Sequence, residues 1–389
     1  MPLHKQTQAI RIQTAKSFEM EHSTPLYLTS SFTFDSAEDM RAAFADETDD
    51  NIYSRYSNPT VDEFVKKMCV LEGAEAGFAT ASGMAAVFNS IFALLKTGDH
   101  LICSSSVFGS TYALATKFLP KYGIECTLVS STKMEEWEAA VKPNTKMVFL
   151  ETPTNPQLEV IDLEWVGTFC KQHNLIFNVD NCFASPILQN PIDFGADIVS
   201  HSATKWIDGQ GRVLGGVVVG RADLIREIYL FCRNTGPSMS AFNAWVLSKS
   251  LETLDVRMER HCKNALEIAS TLEKNEKIAW VKYPFLPSHP QYNIAIKQMK
   301  KGGGVLCFEL KGGIKSGRNF LNALQLLSMT PNLGDTRSIA SHPSSTTHSK
   351  LSETERLAIG ITPGLIRISA GLENVNDILA DIEQALLKC

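Results

Sequence analysis

"LIFNVD", residues 175–180, decides the fold. The run is nearly all apolar until its last residue, Asp180, and "KMVFLE" at 146–151 has the same form. A strand that is apolar on both faces is typical of a mainly parallel sheet that is covered on both sides. Such a strand delivers its polar end residue to the carboxyl edge, where open α/β sheets bind ligands. The two runs therefore predict an α/β fold with polar side chains gathered along one edge.

Further short strand-like runs flank these two and alternate with amphipathic helical patterns. The runs are "AGFATAS", "DHLICSS", "ECTLVSS", "TKMVFLET", "LIFNVDN" and "ADIVSHS", and the helical patterns cover 84–96, 110–122, 133–141 and 162–173. Strands separated by helices indicate βαβ units. We therefore predict a mainly parallel central sheet with helices on both faces.

Three parts of the chain differ in pattern. Residues 1–58 carry Ser, Thr and Asp clusters without clear periodicity, and they predict an irregular arm. Residues 59–250 hold the alternating pattern and form the predicted large domain. A long amphipathic helix follows in "ETLDVRMERHCKNALEIASTLEKN", and the strand-like runs "GVLCFEL" and "GLIRISAG" complete a smaller α+β C-terminal domain at 251–389. A length of 389 residues fits two domains plus an arm.

Composition limits the partners of this protein. A net charge of −5 and a pI near 6.0 give no electrostatic basis for binding nucleic acid or an anionic membrane. No apolar run approaches the ~18 residues of a membrane span, and the first residues lack the apolar core of a secretory signal. The nine cysteines form no CxxC pair, which predicts reduced thiols in a cytoplasmic protein and no metal site.

The stretch "ATASGMAAV" at 79–87 is the first candidate site motif. A strand ends, Ser82 and Gly83 turn the chain, and a helix begins. The backbone N–H groups of Gly83 and Met84 then lie at a helix N-terminus, which is an anion site. Taken alone, an ordinary N-cap serine followed by a glycine turn explains the motif better.

The stretch "HSATK" at 201–205 is the second motif. The hydroxyls of Ser202 and Thr204 precede Lys205 and are suitable ligands for a phosphate. A lysine beside a phosphate and shielded from water has a lowered pKa and forms Schiff bases readily. Taken alone, a solvated lysine at a strand end is the more common case.

Two further strand ends carry polar residues. Asp180 emerges at the end of a buried strand, and a carboxylate there can hold the protonated ring nitrogen of pyridoxal phosphate. Asn155 in "ETPTNP" at 151–156 can reach the ring hydroxyl of that cofactor or a substrate carboxylate. The alternatives are a capping aspartate and a turn residue before proline.

The joint order of these motifs is stronger than any one of them. A phosphate cup, an acid for the ring nitrogen and a Schiff-base lysine are the three parts that pyridoxal phosphate needs, and all three follow successive strands. We therefore predict pyridoxal 5'-phosphate as the cofactor. A dinucleotide oxidoreductase is excluded, because no GxGxxG follows a strand and opens a helix.

Over essentially its whole length the chain resembles the fold-type I pyridoxal-phosphate enzymes of cysteine and methionine metabolism, the cystathionine γ-synthase group. The resemblance implies a transferase in which Lys205 carries the cofactor and Asp180 holds its ring nitrogen. It implies that the phosphate is bound by the turn at Ser82, Gly83 and Met84 together with the hydroxyls of Ser202 and Thr204.

The same resemblance implies functions for the arm and the C-terminal domain. Tyr53 and Arg55 of "YSRYSNP" would bind the phosphate of the neighbouring subunit, so a homodimer is the smallest active unit and a homotetramer is expected. Arg367 of "RIS" would bind the α-carboxylate of an amino-acid substrate, with a planar bidentate donor suited to that task. Asn155 and Asn332 are expected beside the same substrate.

Phe108 in "SVFGST" at 106–111 distinguishes members within the group. Most members carry Tyr there, stacked on the cofactor, with its hydroxyl assigned to proton transfer. Methionine γ-lyases have Tyr-Gly-Cys and cystathionine enzymes have Tyr-Gly-Gly, whereas Phe-Gly-Ser is similar to the O-succinylhomoserine sulfhydrylases. The segments "DNCFASP", "KWIDGQGR", "NTGPSMSAFNAW" and "NLGDTRSIASHPSSTTHSKLS" (332–352) agree with that subfamily.

The resemblance implies a γ-replacement in which sulfide displaces succinate from O-succinylhomoserine to give homocysteine, a step of methionine biosynthesis. The distal succinyl carboxylate then needs a cation, and Arg212 and Arg337 are the candidates, unless both are solvated arginines. A methionine or cystathionine γ-lyase, an O-acetylhomoserine sulfhydrylase and a non-catalytic protein of the same fold are the alternatives.

Overall fold

The computed structural model describes residues 3–346, 349, 352–358 and 360–389. Residues 347, 348, 350 and 351, which belong to the quoted segment 332–352, therefore lie outside the described residues. Among the described residues, no helix is long and apolar enough to cross a membrane.

A seven-stranded sheet forms the centre of the large domain. Its strands lie in the order β1-β7-β6-β5-β4-β2-β3. Their bounds are β1 Ala76–Thr80, β2 His100–Ser104, β3 Glu125–Val129, β4 Thr145–Glu151, β5 Ile176–Asp180, β6 Ile198–Ser202 and β7 Gly216–Gly220. The pairs from β3 to β6 are parallel, and β7 is antiparallel to both of its neighbours. The predicted mainly parallel sheet is confirmed.

The antiparallel strand β7 was not predicted. Its run "GVVVG" follows β6 after a connection that holds no helix, whereas a parallel neighbour needs a crossover of about a dozen residues or more, usually with a helix. Because both neighbours cover its backbone and its side chains are buried, β7 reads as a continuous apolar run and not as an alternating one.

Fifteen helices are described. They are α1 Lys5–Arg11, α2 Ala37–Phe44, α3 Pro59–Glu72, α4 Gly83–Phe92, α5 Gly109–Ala113, α6 Met134–Ala140, α7 Leu163–His173, α8 Ser185–Leu188, α9 Ala222–Thr235, α10 Ala241–Leu251, α11 Leu254–Leu272, α12 Tyr292–Gln298, α13 Gly313–Ala323, α14 Glu353–Ala358 and α15 Val375–Leu386. The predicted patterns at 84–96, 133–141 and 162–173 correspond to α4, α6 and α7. The pattern at 110–122 begins in α5 and continues as a π turn and a 3₁₀ turn.

Successive residues of the central strands pack on opposite faces of the sheet. On β4, Val148 and Leu150 belong to the core beneath α3, α6 and α7, whereas Met147 and Phe149 belong to the core beneath α4. This alternation buries both faces, as the apolar runs predict. The polar residues that end β4, β5 and β6 therefore lie at the carboxyl edge of the sheet.

The C-terminal part of the chain builds a second sheet of five strands. The order is β10-β11-β12-β9-β8, with β8 Ile278–Lys282, β9 Val305–Leu310, β10 Ser328–Met329, β11 Ile339–Ser341 and β12 Leu365–Ser369. Helices α11, α13 and α15 share one core with this sheet. The boundary proposed near residue 250 falls close to the end of α10, and it stays a prediction.

The prediction of a wholly irregular arm at 1–58 is wrong in two places. The arm contains α1 and α2, both of which are short. Ser36 caps the start of α2, because its side chain accepts a hydrogen bond from the N–H of Asp39. This local cap explains a helix that apolar periodicity did not reveal.

Candidate active site

Lys205 lies in the turn that follows β6, and burial lowers the pKa of its amine. Its Nζ donates a hydrogen bond to Oδ1 of Asn332 at 2.6 Å. Arg257 on α11 holds this turn in place by donating hydrogen bonds to the carbonyls of Trp206 and Ile207 at 2.6 and 3.1 Å. A fixed, partly dehydrated lysine with a lowered pKa is a suitable nucleophile and proton carrier.

Asp180 ends β5 and is buried. Its Oδ1 accepts the N–H of Cys182 at 3.0 Å, and no hydrogen bond to its Oδ2 is found within the described part of the chain. Burial raises the pKa of Asp180 to about 6, while the Cys182 N–H and the charge of His201 act in the opposite direction. A buried carboxylate with one uncommitted oxygen can accept a bond from a cationic ring nitrogen.

The start of α4 packs directly against the end of β6. A Cβ atom on Gly83 would lie 2.5 Å from Cβ of Ser202, so only glycine permits this approach. The hydroxyl of Ser82 caps α4 by accepting the N–H of Ala85 at 3.2 Å. The structure thus brings the N–H groups that open a ten-residue helix beside the Ser202 hydroxyl, as a phosphate cup requires.

Met84 and Thr204 are two further residues predicted to bind the phosphate. Met84 is the second residue of α4, so its N–H is one of the unpaired donors of the helix. The hydroxyl of Thr204 accepts the N–H of Gly215 at 3.1 Å and lies 3.3 Å from the carbonyl of the same residue. The structure thus brings the start of α4 beside Ser202, and the contribution of Thr204 to phosphate binding stays a prediction.

Arg367 joins the C-terminal sheet to this edge. It is buried on β12, where its Nη1 donates to Oδ1 of Asn155 and its Nη2 to the carbonyl of Asn332, both at 3.0 Å. Burial lowers the pKa of Arg367 to about 10, so the side chain stays cationic at neutral pH. A continuous hydrogen-bonded chain thus runs from Lys205 through Asn332 and Arg367 to Asn155.

Phe108 precedes α5, and its ring is half exposed. Its backbone N–H donates to Oε2 of Glu151 at 2.7 Å. Glu151 ends β4, pairs in register with Asp180 and is buried. Burial, together with the nearby charge of Asp180, raises the pKa of Glu151 well above its usual range. Glu151 was not among the site residues predicted from the sequence. Its charge at the end of the apolar run "VFLE" could have indicated it, as the same pattern indicated Asp180.

Tyr53 and Arg55 do not join the other predicted residues within one chain. Arg55 bonds the carbonyl of Arg233 at the end of α9 and packs over the ring of Tyr56 at 4.8 Å. Tyr53 is exposed. In the described part of the chain, neither residue has a hydrogen bond to Lys205 or to the phosphate cup, so their predicted contribution to a partner subunit stays a prediction.

The two candidate cations for a distal carboxylate differ. Arg212 is bound to Asp208 through its side chain at 2.9 to 3.0 Å, and its Nη2 also contacts Ser250. Arg337 donates through Nε and Nη2 to Asp335, both at 3.0 Å, and it borders a cavity of about 280 Å³ that Asn332 also lines. Arg337 therefore faces the same space as the residue that bonds Lys205.

The residues at this edge fit pyridoxal phosphate. The uncommitted oxygen of Asp180, the close approach of Gly83 to Ser202 and the lowered pKa of Lys205 match its ring nitrogen, phosphate and aldehyde respectively. A metal centre has no comparable support, since no group of three His, Cys, Asp or Glu side chains suited to a metal ion occurs among the described residues.

Comparison with known proteins agrees with this fit. Residues 6–387 match the family of Cys/Met metabolism PLP-dependent enzymes. The chain is 44% identical over 380 residues to the O-succinylhomoserine sulfhydrylase of Pseudomonas aeruginosa, covering 98% of this chain and 94% of the relative. It is also 44% identical over 367 residues to the L-methionine gamma-lyase of Porphyromonas gingivalis, covering 94% and 92%.

A solved structure extends the comparison to the fold and the cofactor. A putative O-acetylhomoserine (thiol)-lyase from Campylobacter jejuni, with N'-pyridoxyl-lysine-5'-monophosphate, superposes with a TM-score of 0.95 at 34% identity, covering 99% of this chain and 100% of that one. The predicted fold-type I architecture and the predicted cofactor are confirmed. The chain belongs to the Cys/Met metabolism PLP-dependent enzymes.

Proposed function

We propose that this member of the Cys/Met metabolism PLP-dependent enzymes catalyses a γ-replacement, in which O-succinylhomoserine and sulfide give homocysteine and succinate. The observation that carries the proposal is Phe108, a ring without a hydroxyl, whose backbone is hydrogen-bonded to Glu151 at the cofactor edge. Relatives named O-succinylhomoserine sulfhydrylase support it. The product would serve methionine biosynthesis.

The missing hydroxyl favours an ester substrate over a thioether. Succinate leaves as a carboxylate and needs no proton, because carboxyl groups have pKa values of about 4. A lyase that acts on methionine expels a thiolate, whose conjugate acid has a pKa of about 8.5 or more and which leaves better when an acid donates a proton. Phe108 has no proton to donate, so the ester is the better match.

Residues of this chain would divide the work as follows. Bound pyridoxal phosphate supplies an electron sink next to Cα of the substrate. Asp180 would keep the ring nitrogen protonated, and Arg367 would bind the α-carboxylate in a bidentate manner. Nζ of Lys205 would accept the proton from Cα and move protons at Cβ, which its lowered pKa favours. The chain thus supplies one mobile base and two fixed charges.

For the distal carboxylate we propose Arg337 over Arg212. Asp335 accepts hydrogen bonds from Nε and Nη2 of Arg337, and the residue borders the cavity that Asn332 also lines. Arg212 is bound in the same way by Asp208, which is fully buried, but Arg212 is not among the described residues that line this cavity. An acetyl ester has no distal charge, so this contact would distinguish the two esters.

The proposal also includes an oligomer. Tyr53 and Arg55 would complete the phosphate site of a partner, in a homodimer or a homotetramer in the cytoplasm. Support comes from large apolar side chains that the arm leaves exposed, above all Phe18, Met20 and Leu28. Such a surface is unusual on a monomer. Mass measurement in solution at several protein concentrations tests this part.

The decisive experiment measures products of the purified holoenzyme. O-succinylhomoserine and O-acetylhomoserine are each supplied with sulfide or with cysteine, and homocysteine, cystathionine and 2-oxobutyrate are quantified. Homocysteine from the succinyl ester and sulfide is the expected main product. Cystathionine as main product, or preference for the acetyl ester, would assign another reaction of the same family.

Methionine γ-lyase is the second candidate, because a relative with that name has the same identity of 44%. This function predicts 2-oxobutyrate and methanethiol from methionine without added sulfide. Incubation of the holoenzyme with methionine alone separates the two candidates, since a sulfhydrylase without lyase activity leaves methionine intact.

A further inference from the structure

A buried cluster of polar side chains lies behind the cofactor edge, on the side of α3. Oε1 of Glu72, the last residue of α3, accepts hydrogen bonds from Nε2 of His201 at 2.5 Å and from Nδ2 of Asn181 at 2.9 Å. All three side chains are almost fully buried. None of them is among the residues predicted to touch cofactor or substrate.

The cluster continues to the ends of three neighbouring strands. Nε2 of Gln189 donates to Oδ1 of Asn181 at 3.0 Å and to the carbonyl of Thr152 at 2.9 Å, and Nε2 of Gln298 donates to Oε1 of Gln189 at 3.0 Å. Thr152 follows β4, Asn181 follows β5 and His201 lies on β6. The hydrogen bonds therefore connect the strands that deliver Glu151, Asp180 and Ser202.

The sequence positions of Asn181 and His201 explain the connection. Each is adjacent in sequence to a predicted cofactor residue, Asn181 to Asp180 and His201 to Ser202, and neighbours along a strand point to opposite sides. The N–H of Asn181 also continues the ladder by bonding the carbonyl of Ser200 at 3.0 Å. Glu72 thus contacts the reverse side of the two segments that carry Asp180 and Ser202.

Burying a carboxylate, an imidazole and several amides is costly unless every partner is in place, and apolar side chains would stabilise this core more simply. The presence of these polar groups therefore indicates a function other than stabilising the fold. In addition, the charge of His201 opposes the effect of burial on the pKa of Asp180.

We propose that Glu72, His201 and Asn181 form a positioning unit for pyridoxal phosphate, which holds Asp180 and Ser202 in the geometry that the ring nitrogen and phosphate require. None of the three is a catalytic residue. The proposal rests on the cofactor and not on the reaction proposed above, so a different reaction of this family would leave it unaffected.

Two substitutions test the unit, each chosen to keep side-chain size. Glu72→Gln removes the charge but keeps one oxygen for Asn181 and His201, and His201→Gln removes the imidazole. His100→Gln is the matched control, because His100 is equally buried in the same sheet, between the hydroxyls of Thr127 and Thr145, at the amino end of β2.

The measurements are the cofactor dissociation constant, by reconstitution of the dialysed protein, and the visible absorbance band of the holoenzyme without substrate. We expect both site variants to raise the dissociation constant at least about tenfold, or about 1.4 kcal/mol, and to change the band. The control should retain the parent dissociation constant and band, whatever its loss of thermal stability.

Parent-like cofactor binding and absorbance in a folded Glu72→Gln would overturn the proposal. An equal loss of cofactor in His100→Gln would overturn it as well, because the effect would then be one of general stability. If circular dichroism shows that His201→Gln does not fold, the result for Glu72→Gln decides. Asn181→Asp then serves as the second variant, because it replaces the donor to Glu72 by a second carboxylate. We expect it to show the same loss of cofactor affinity.

Discussion

The floor and the rim of the candidate site differ in construction. The floor consists of the ends of β4, β5 and β6, where Glu151 and Asp180 are 3% and 8% exposed. The rim contains Phe108, which is 46% exposed, and Arg337, whose side chain is 66% exposed. We expect the rigid strand ends to determine the cofactor and the exposed loop side chains to select the substrate. Membership of the family therefore indicates which cofactor the floor binds, but it does not indicate which substrate the rim accepts.

Replacement of Lys205 gives the largest expected effect and tests the floor. Lys205→Ala should lower kcat/KM by about 1000-fold or more, because it removes the base that moves protons at Cα and Cβ. The rate is measured with O-succinylhomoserine and sulfide. Lys146→Ala, at an exposed position of β4, is the control and should retain the parent rate. A Lys205→Ala enzyme with a tenth of the parent rate would remove Lys205 from its proposed role.

Asp180 should have the next largest effect, and we expect cofactor binding to depend on pH through its carboxyl group. Because burial raises the pKa of Asp180 to about 6, the carboxylate gains a proton as pH falls through that value. A protonated Asp180 no longer attracts a cationic ring nitrogen, so cofactor affinity should fall below about pH 6 and be constant above about pH 7.

Asp180→Asn should bind the cofactor weakly at every pH and lose that dependence, with kcat lowered about 100-fold or more. The measurement is the cofactor dissociation constant from about pH 5 to about pH 8. A midpoint that persists in Asp180→Asn would assign the titration to another group of the floor.

The same difference in construction explains what the sequence could predict. The apolar runs that end in Glu151 and Asp180, together with "SATK", predicted the sheet, its edge and the cofactor, because strand period and burial are local properties. Strand β7 and the cluster around Glu72 were missed, since His201 and Asn181 acquire their meaning only through contact with a helix that is more than 100 residues distant in sequence. The interpretation of Arg212 and Arg337 also needed the structure, which places Arg337 at the cavity that Asn332 lines.

Arg337 moves the test to the rim. Arg337→Gln should raise KM for O-succinylhomoserine about tenfold and leave KM for the acetyl ester within about twofold, because an exposed charge contact contributes only about 1 kcal/mol or slightly more. Arg212→Gln is the comparison variant. Its loss should affect both esters equally, because the buried carboxylate of Asp208 loses its guanidinium partner. An ester-specific effect in Arg212→Gln alone would exchange the two assignments.

Phe108→Tyr should have the smallest effect on the proposed reaction, and it tests directly whether the missing hydroxyl selects the reaction. The new hydroxyl would stand where a half-exposed ring now lies, while the bond from the backbone N–H to Glu151 is kept. Sulfhydrylation should change less than about threefold, since a carboxylate leaving group needs no acid. Formation of 2-oxobutyrate from methionine should rise, because thiolate departure gains a proton donor. A rise of more than about tenfold in the sulfhydrylation rate would instead mean that the missing hydroxyl limits the parent enzyme.

Phe108→Leu separates stacking on the cofactor from proton donation. It removes the aromatic face, so it should weaken cofactor binding without any gain in 2-oxobutyrate formation.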